Sequence, residues 1–204
     1  MRVVLILLAV SAFLNLSRLE AFARSLYSTY ISEGMSFYKM GEYDRAIENF
    51  TKAYELNALD PLPYRMIGLC HYRKNNLDEA LKYLSISLTL EEDNNIITLS
   101  IIGNIYYKQK KYNNAVIVYD RLSSLTNSAF VYFRLMNSLE NVGRLEEAMS
   151  VGEKFLSSPV WGDFDEKIFK SELRSIYVKL GNKYKKEGLN DKAEKLFTKA
   201  KNLN

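Results

Sequence analysis

Residues 41–50 read GEYDRAIENF. A turn glycine leads straight into an amphipathic stretch in which Ala46 and Phe50 stand four residues apart, on one face of a helix. The stretch recurs. Related segments are NNLDEALKYL at 75–84, KKYNNAVIVY at 110–119, GRLEEAMSVG at 143–152 and GLNDKAEKLF at 188–197. Aligned on their alanines, Ala46, Ala80, Ala115, Ala148 and Ala193, they lie 34, 35, 33 and 45 residues apart. A near-constant period of this length marks a stacked repeat architecture. Upstream of four of these alanines, at a fixed distance, sits a glycine: Gly34, Gly68, Gly103 and Gly181. Two helices that each present a small residue can approach closely, so each period reads as an antiparallel helical hairpin.

The pattern resembles the tetratricopeptide repeat, whose signature is W-x2-L-G-x2-Y, then A-x3-F, at a 34-residue period. The first unit offers Tyr30, Glu33, Gly34 and Phe37 with Ala46 and Phe50, and the second Tyr64, Ile67, Gly68 and His71 with Ala80 and Leu84. The third offers Leu99, Ile102, Gly103 and Tyr106 with Ala115 and Tyr119, and the fifth Tyr177, Leu180, Gly181 and Tyr184 with Ala193 and Phe197. The fourth, Tyr132, Leu135, Met136 and Leu139 with Ala148 and Gly152, departs at two places. Glu33 departs too, at a unit with no neighbour on its outer side. The resemblance implies an all-α chain, a right-handed α-solenoid of about five antiparallel helix pairs after an N-terminal apolar helix. The first helix of each pair would form a concave binding wall. The expected divisions are 1–23 for a signal peptide or anchor, and 27–60, 61–95, 96–128 and 129–158 for the first four repeats. An insertion and helix start follow at 159–173, and a fifth repeat at 174–204.

The amino-terminal segment differs from the rest. Arg2 precedes the apolar run Val3–Leu16, and Ala21-Phe22-Ala23 supplies small residues for cleavage after Ala23. At about 1.5 Å per residue the run reaches roughly 21 Å, short of a hydrocarbon layer about 30 Å thick. The expectation is therefore an exported chain, periplasmic or secreted, with inner-membrane anchoring through residues 3–16 if the segment stays uncleaved. A cytosolic scaffold or regulatory subunit is the alternative, and it requires this segment to be an ordinary buried helix.

Composition narrows the function further. Of 204 residues, 28 are Lys or Arg and 24 are Asp or Glu, intermixed, for a formal charge of +4, so no basic stripe points to nucleic acid. The single cysteine, Cys70, permits no intrachain disulfide and reads as a packed hydrophobe. His71, the only histidine, takes an aromatic core position. Asp and Glu at 91–95 (EEDNN) lack calcium-loop spacing and read as a solvated turn. No phosphate-cradling loop, nucleophile elbow or metal-ligand spacing is present, so neither enzyme, cofactor nor metal site is expected.

An interaction module is expected instead, an adaptor or assembly factor of a bacterial cell envelope. The wall of the first three repeats carries Tyr38-Lys39, Tyr72-Arg73 and Tyr107-Lys108, with Arg65 and Asn104 a turn or so back. Aromatic planes beside flexible cations suit an extended, acidic peptide or a partner helix. The carboxylate-clamp members of the family, which grip chaperone C-termini through Lys and Asn of a first repeat, are not matched, because Ile31 and Met35 occupy those places. In the fourth repeat Met136 replaces the glycine, Gly152 replaces the large residue, and Phe155 replaces a small alanine. The insertion behind it holds Trp161, with Asp163 or Asp165 as the cap of a fresh helix. Trp161 is expected to fold into the space left by Gly152, or else to stand exposed as a partner anchor.

Overall fold

The turn that opens each copy of the repeated stretch has one geometry throughout. Gly41, Asn75, Lys110, Gly143 and Gly188 all have positive φ, from 57° to 82°. Each is followed by an amide that bonds back to the preceding helix, as Glu42 N to Phe37 O at 2.9 Å and Lys111 N to Tyr106 O at 2.9 Å. This left-handed residue ends one helix and lets the next start antiparallel to it.

In the computed structural model, residues 2–91 and 95–203 are described, with side chains from residue 15 onward. Ten helices form the described residues, with no strand among them: α1 (Arg2–Met40), α2 (Tyr43–Leu56), α3 (Pro61–Arg73), α4 (Leu77–Leu90), α5 (Ile96–Lys108), α6 (Tyr112–Leu125), α7 (Ala129–Asn141), α8 (Leu145–Ser157), α9 (Glu166–Lys186) and α10 (Asn190–Asn202). The chain divides into two units, Met1–Asp93 and Asn94–Asn204.

In the first unit α1 packs on α2, α2 on α3 and α3 on α4. Its core is Ala46, Phe50, Met66, Ile67 and Cys70, with Ile31, Met35 and Tyr38 packed against it. Glycine on the first helix admits the bulky residue of the second: a Cβ at Gly34 would fall 2.7 Å from Phe50 Cε1, and one at Gly68 would fall 2.6 Å from Leu84 Cγ. Tyr27 on α1 donates to Asp60 Oδ2 at 2.6 Å, while Asp60 Oδ1 accepts from Leu62 N at 2.8 Å and caps α3. Burial, then the Asp60 bond and charge, drive the Tyr27 phenol far above its ordinary pKa.

The expected division at residue 23 is not marked in the backbone, because α1 runs through it unbroken. Side chains of the apolar run up to residue 14 lie outside the described residues. Beyond them Leu16, Leu19 and Phe22 are exposed. Among the described residues no helix is long and apolar enough to cross a membrane.

In the second unit α5 to α8 continue the pairing, and α9 packs on α8, α10 and also α7. The same glycine contact appears at Gly103 with Tyr119 and at Gly181 with Phe197. Asn95 and Asp165 cap α5 and α9 by accepting from Thr98 N and Lys167 N. At 21 residues α9 is eight longer than α3, α5 and α7, each of 13, and its extra turns bury Phe169 and Leu173.

The fourth hairpin corrects one expectation. A Cβ at Gly152 would fall 2.6 Å from Met136 Sδ and 2.7 Å from Leu173 Cδ1, so these two side chains, not Trp161, fill the space. Trp161 is half-buried beside it, edge-on to Phe155 at 5.1 Å and to Phe169 at 5.5 Å. The physical reason is proximity: Met136 already faces Gly152 across the hairpin, and a flexible thioether fills an irregular gap readily.

Candidate functional site

On one side of the first unit a side chain of α3 reaches α1, and on one side of the second a side chain of α5 reaches α7, while α7 packs on α9. In the first unit Arg73 Nε donates to the hydroxyl of Tyr38 at 3.3 Å, linking α3 to α1. Tyr38 is also tilted against Tyr43 at 5.8 Å. The bond to Tyr38 raises the pKa of the Arg73 guanidinium still further. Lys39 and Arg73 are exposed and Tyr72 is half-buried. Cation and aromatic therefore stand side by side here, and Arg73 and Tyr38 bind one another.

Arg65 is committed elsewhere. It forms an ion pair with Glu91, with side chains only 21% and 13% exposed, so it is a bolt between α3 and the end of α4. Glu91 is thereby withdrawn from the solvated turn expected at 91–95, whose residues 92–94 lie outside the described residues. A pair so withdrawn from water holds its geometry only while both partners remain.

In the second unit Asn104 is likewise engaged. Gly103 lets the Tyr119 ring approach α5 closely, and the Tyr119 hydroxyl donates to Asn104 Oδ1 at 2.9 Å. Tyr107 donates to Asn137 Oδ1 at 3.2 Å, stands edge-on to Tyr112 at 5.4 Å, and is covered by the Arg134 guanidinium 4.5 Å from its ring centre. Burial first, against the opposing charge of Arg134, raises the Tyr107 pKa. Lys108 is exposed.

The wall continues where the sequence pattern stopped. Arg134 and Asn137 on α7, Glu140 at its end, and Glu172 and Lys179 on α9 occupy the same side, Lys179 bonded to Glu140. Glu140 stands 33 residues after Tyr107, in register with Tyr38 and Tyr72, and Asn137 stands in register with Asn104. Register alone could have found both, although at position 140 glutamate replaces the tyrosine of the earlier repeats.

Trp161, separated from these residues, lines an open cleft of about 460 Å³ with Phe130, Val160, Asp163 and Phe164. The connection is pinned there by Asn127 Nδ2 donating to Ser158 O at 2.7 Å and by Phe164 packing on Phe133 at 5.1 Å.

Chemistry is not favoured at either singular residue. Cys70 is fully buried and its thiol is pushed up to about 12 by that burial. His71 stacks on Tyr83 at 5.7 Å, and desolvation lowers its pKa, holding the imidazole neutral. Among the described residues no three His, Cys, Asp or Glu side chains gather to hold a metal ion.

Tetratricopeptide-repeat models match residues 31–94 and 98–128. A TPR repeat-containing protein of Methanocaldococcus jannaschii, MJ1428, is 30% identical over 156 residues, covering 69% of this chain and 27% of that protein. The chain belongs to the tetratricopeptide-repeat family. It spans about a quarter of the curated relatives it matches. Among solved structures, MamA from Desulfovibrio magneticus is similar with a TM-score of 0.60 at 18% identity, over 87% of this chain and 94% of that one. YrrB, described as a TPR protein with an unusual peptide-binding site, has a TM-score of 0.62 at 21% identity, over 85% of this chain and 84% of that one.

Proposed function

We propose that the chain is a non-catalytic interaction scaffold that holds a peptide or helix of a partner protein against its first-helix walls. The observation that carries this reading is the Tyr38–Arg73 rung between α1 and α3, flanked by exposed Lys39. An aromatic hydroxyl and a guanidinium already oriented toward each other lose little freedom when a carboxylate joins them. An acidic segment therefore fits the first unit. The similarity to YrrB, itself described as having a peptide-binding site, supports a peptide ligand.

The place of action we propose is the bacterial cell envelope, periplasmic or at the inner membrane, where the scaffold would assist assembly of a complex. Arg2 and the apolar run 3–16 support it. Retention in the cytosol is favoured by one observation, the continuity of α1 through residue 23 into the first hairpin. Fusing residues 1–30 to a reporter active only after export separates the two, and a silent reporter refutes the envelope reading. For the wall, cross-linking pull-downs from native membranes with the wild type are to be compared with Arg73→Glu/Lys108→Glu. Partner recovery should fall at least about tenfold, the loss of about 1.4 kcal/mol, with helical circular dichroism unchanged. Equal recovery removes the wall from consideration.

A further inference from the structure

Set in register on Ala46 and Ala193, the fifth hairpin places Arg174, Val178, Lys185 and Phe197 where the first has Tyr27, Ile31, Tyr38 and Phe50. In the first unit those four hold the next helix. Tyr27 bonds Asp60 at the start of α3, Tyr38 accepts from Arg73 at its end, and Ile31 and Phe50 pack in one cluster with Met66, Ile67 and Cys70. In the fifth, among the described residues, α10 packs extensively on α9 alone. The difference shows at the ring: Phe50, Leu84 and Tyr119 are fully buried, whereas Phe197 is only half-buried and Val178 is 40% exposed. These residues line an open groove of about 630 Å³.

Charge identifies what the groove takes. Of the described residues that line it, Arg174, Lys185 and Lys201 are cations and Glu194 alone is an acid. Together α9 and α10 carry eleven Lys or Arg against four Asp or Glu, whereas the whole chain carries 28 against 24, so the excess is local. A basic helix is repelled there and an acidic one is drawn in. Arg174 already gives one N–H to the Leu203 carbonyl, and its guanidinium has others to give.

We propose that this groove docks an amphipathic helix of another protein, apolar on one face and carrying a carboxylate at each end. The spacing follows from α3. Its apolar residues lie as Met66, Ile67 and Cys70 do, one carboxylate takes the place of Asp60 to meet Arg174, and the other takes that of Arg73 to meet Lys185. Arg174, Val178 and Lys185 stand at helical spacing on one face of α9, whereas Lys179 turns toward α7 and bonds Glu140. The groove is therefore separate from the wall, and it stands whether or not the wall binds a peptide.

Two fluorescent helical peptides built on the α3 spacing test this, identical except for glutamate or lysine at the places of Asp60 and Arg73. In anisotropy titrations of the full chain the glutamate peptide should bind at least about tenfold more tightly than the lysine peptide, and added salt should narrow the difference. Lys185→Glu should remove the preference. Val178→Asp, a change at an exposed residue, should weaken binding of the glutamate peptide at least about tenfold, with helical circular dichroism unchanged. Equal binding of the two peptides, or a Val178→Asp variant that binds as the wild type does, overturns the proposal. So does a chain that sediments as a dimer without peptide and becomes monomeric in Val178→Asp, because a second copy then fills the groove.

Discussion

In four of the five hairpins a glycine on the first helix lies beneath a bulky side chain from the second, and in the fourth the two have changed places. Gly34, Gly68, Gly103 and Gly181 receive Phe50, Leu84, Tyr119 and Phe197, whereas Met136 on α7 reaches toward Gly152 on α8. What the fold requires is one small and one large residue in contact, not either at a given helix. The exchange has a consequence in the chain that follows. Methionine is thinner than the aromatic it stands in for, and Leu173 from the lengthened α9 completes the fill. Phe169 from the same extra turns packs on Phe155, at 4.7 Å. The longer period and the reversed pair are therefore one structural event, with the insertion supplying side chains that the fourth hairpin lacks.

The largest expected effect comes from emptying a regular hairpin. Phe50 is fully buried, and Phe50→Ala should destabilise the first unit by about 3–5 kcal/mol. The glycine backbone facing it has no side chain that could relax into the void. Denaturant unfolding measures this; a loss under about 0.5 kcal/mol, the scale of an ordinary surface change, would mean the pair does not organise the hairpin.

The reversed hairpin offers a sharper test. Gly152→Leu places new atoms where Met136 Sδ and Leu173 Cδ1 already stand, and overpacking of this kind costs about 1–3 kcal/mol. Adding Met136→Gly should return part of that loss, because it restores the order of the other hairpins, though Leu173 keeps the rescue incomplete. A double variant as destabilised as the sum of the two singles would show that the residues do not act as a pair.

The hairpins were legible because two small residues per period and a 3.6-residue apolar face are written locally. The cap of α9 was legible as either Asp163 or Asp165, and it is the Asp165 carboxylate that accepts from an amide two residues on. The partners of the wall residues were not. Arg65 meets Glu91 across 26 positions and Tyr107 meets Asn137 across 30, and one sequence does not encode which rotamers long side chains adopt. The place of Trp161 is not legible either: it is the bulkiest neighbour of the Gly152 space in sequence, while Leu173, more than two turns beyond the cap, is the neighbour in space.

The smallest expected effect has the opposite sign and lies in the turns. Three of the five left-handed positions are glycine, which adopts positive φ without a Cβ penalty; the other two are Asn75 at 61° and Lys110 at 57°. Asparagine tolerates this region better than other side chains, whereas lysine gains nothing there and is held at a cost of about 1–2 kcal/mol. Glycine in its place would remove that strain but widen the freedom of the unfolded chain, worth roughly 0.4–1 kcal/mol in the other direction. Lys110→Gly should therefore stabilise the second unit by about 0.8 kcal/mol, the difference between the mid-points of the two terms, and Asn75→Gly should be nearly neutral. Chemical denaturation of both variants beside the wild type resolves a shift of this size as a raised midpoint at constant slope. Equal gains at the two positions would mean that asparagine is as strained as lysine in this turn. A loss at Lys110 would mean that its side chain makes a contact worth more than the backbone strain it endures.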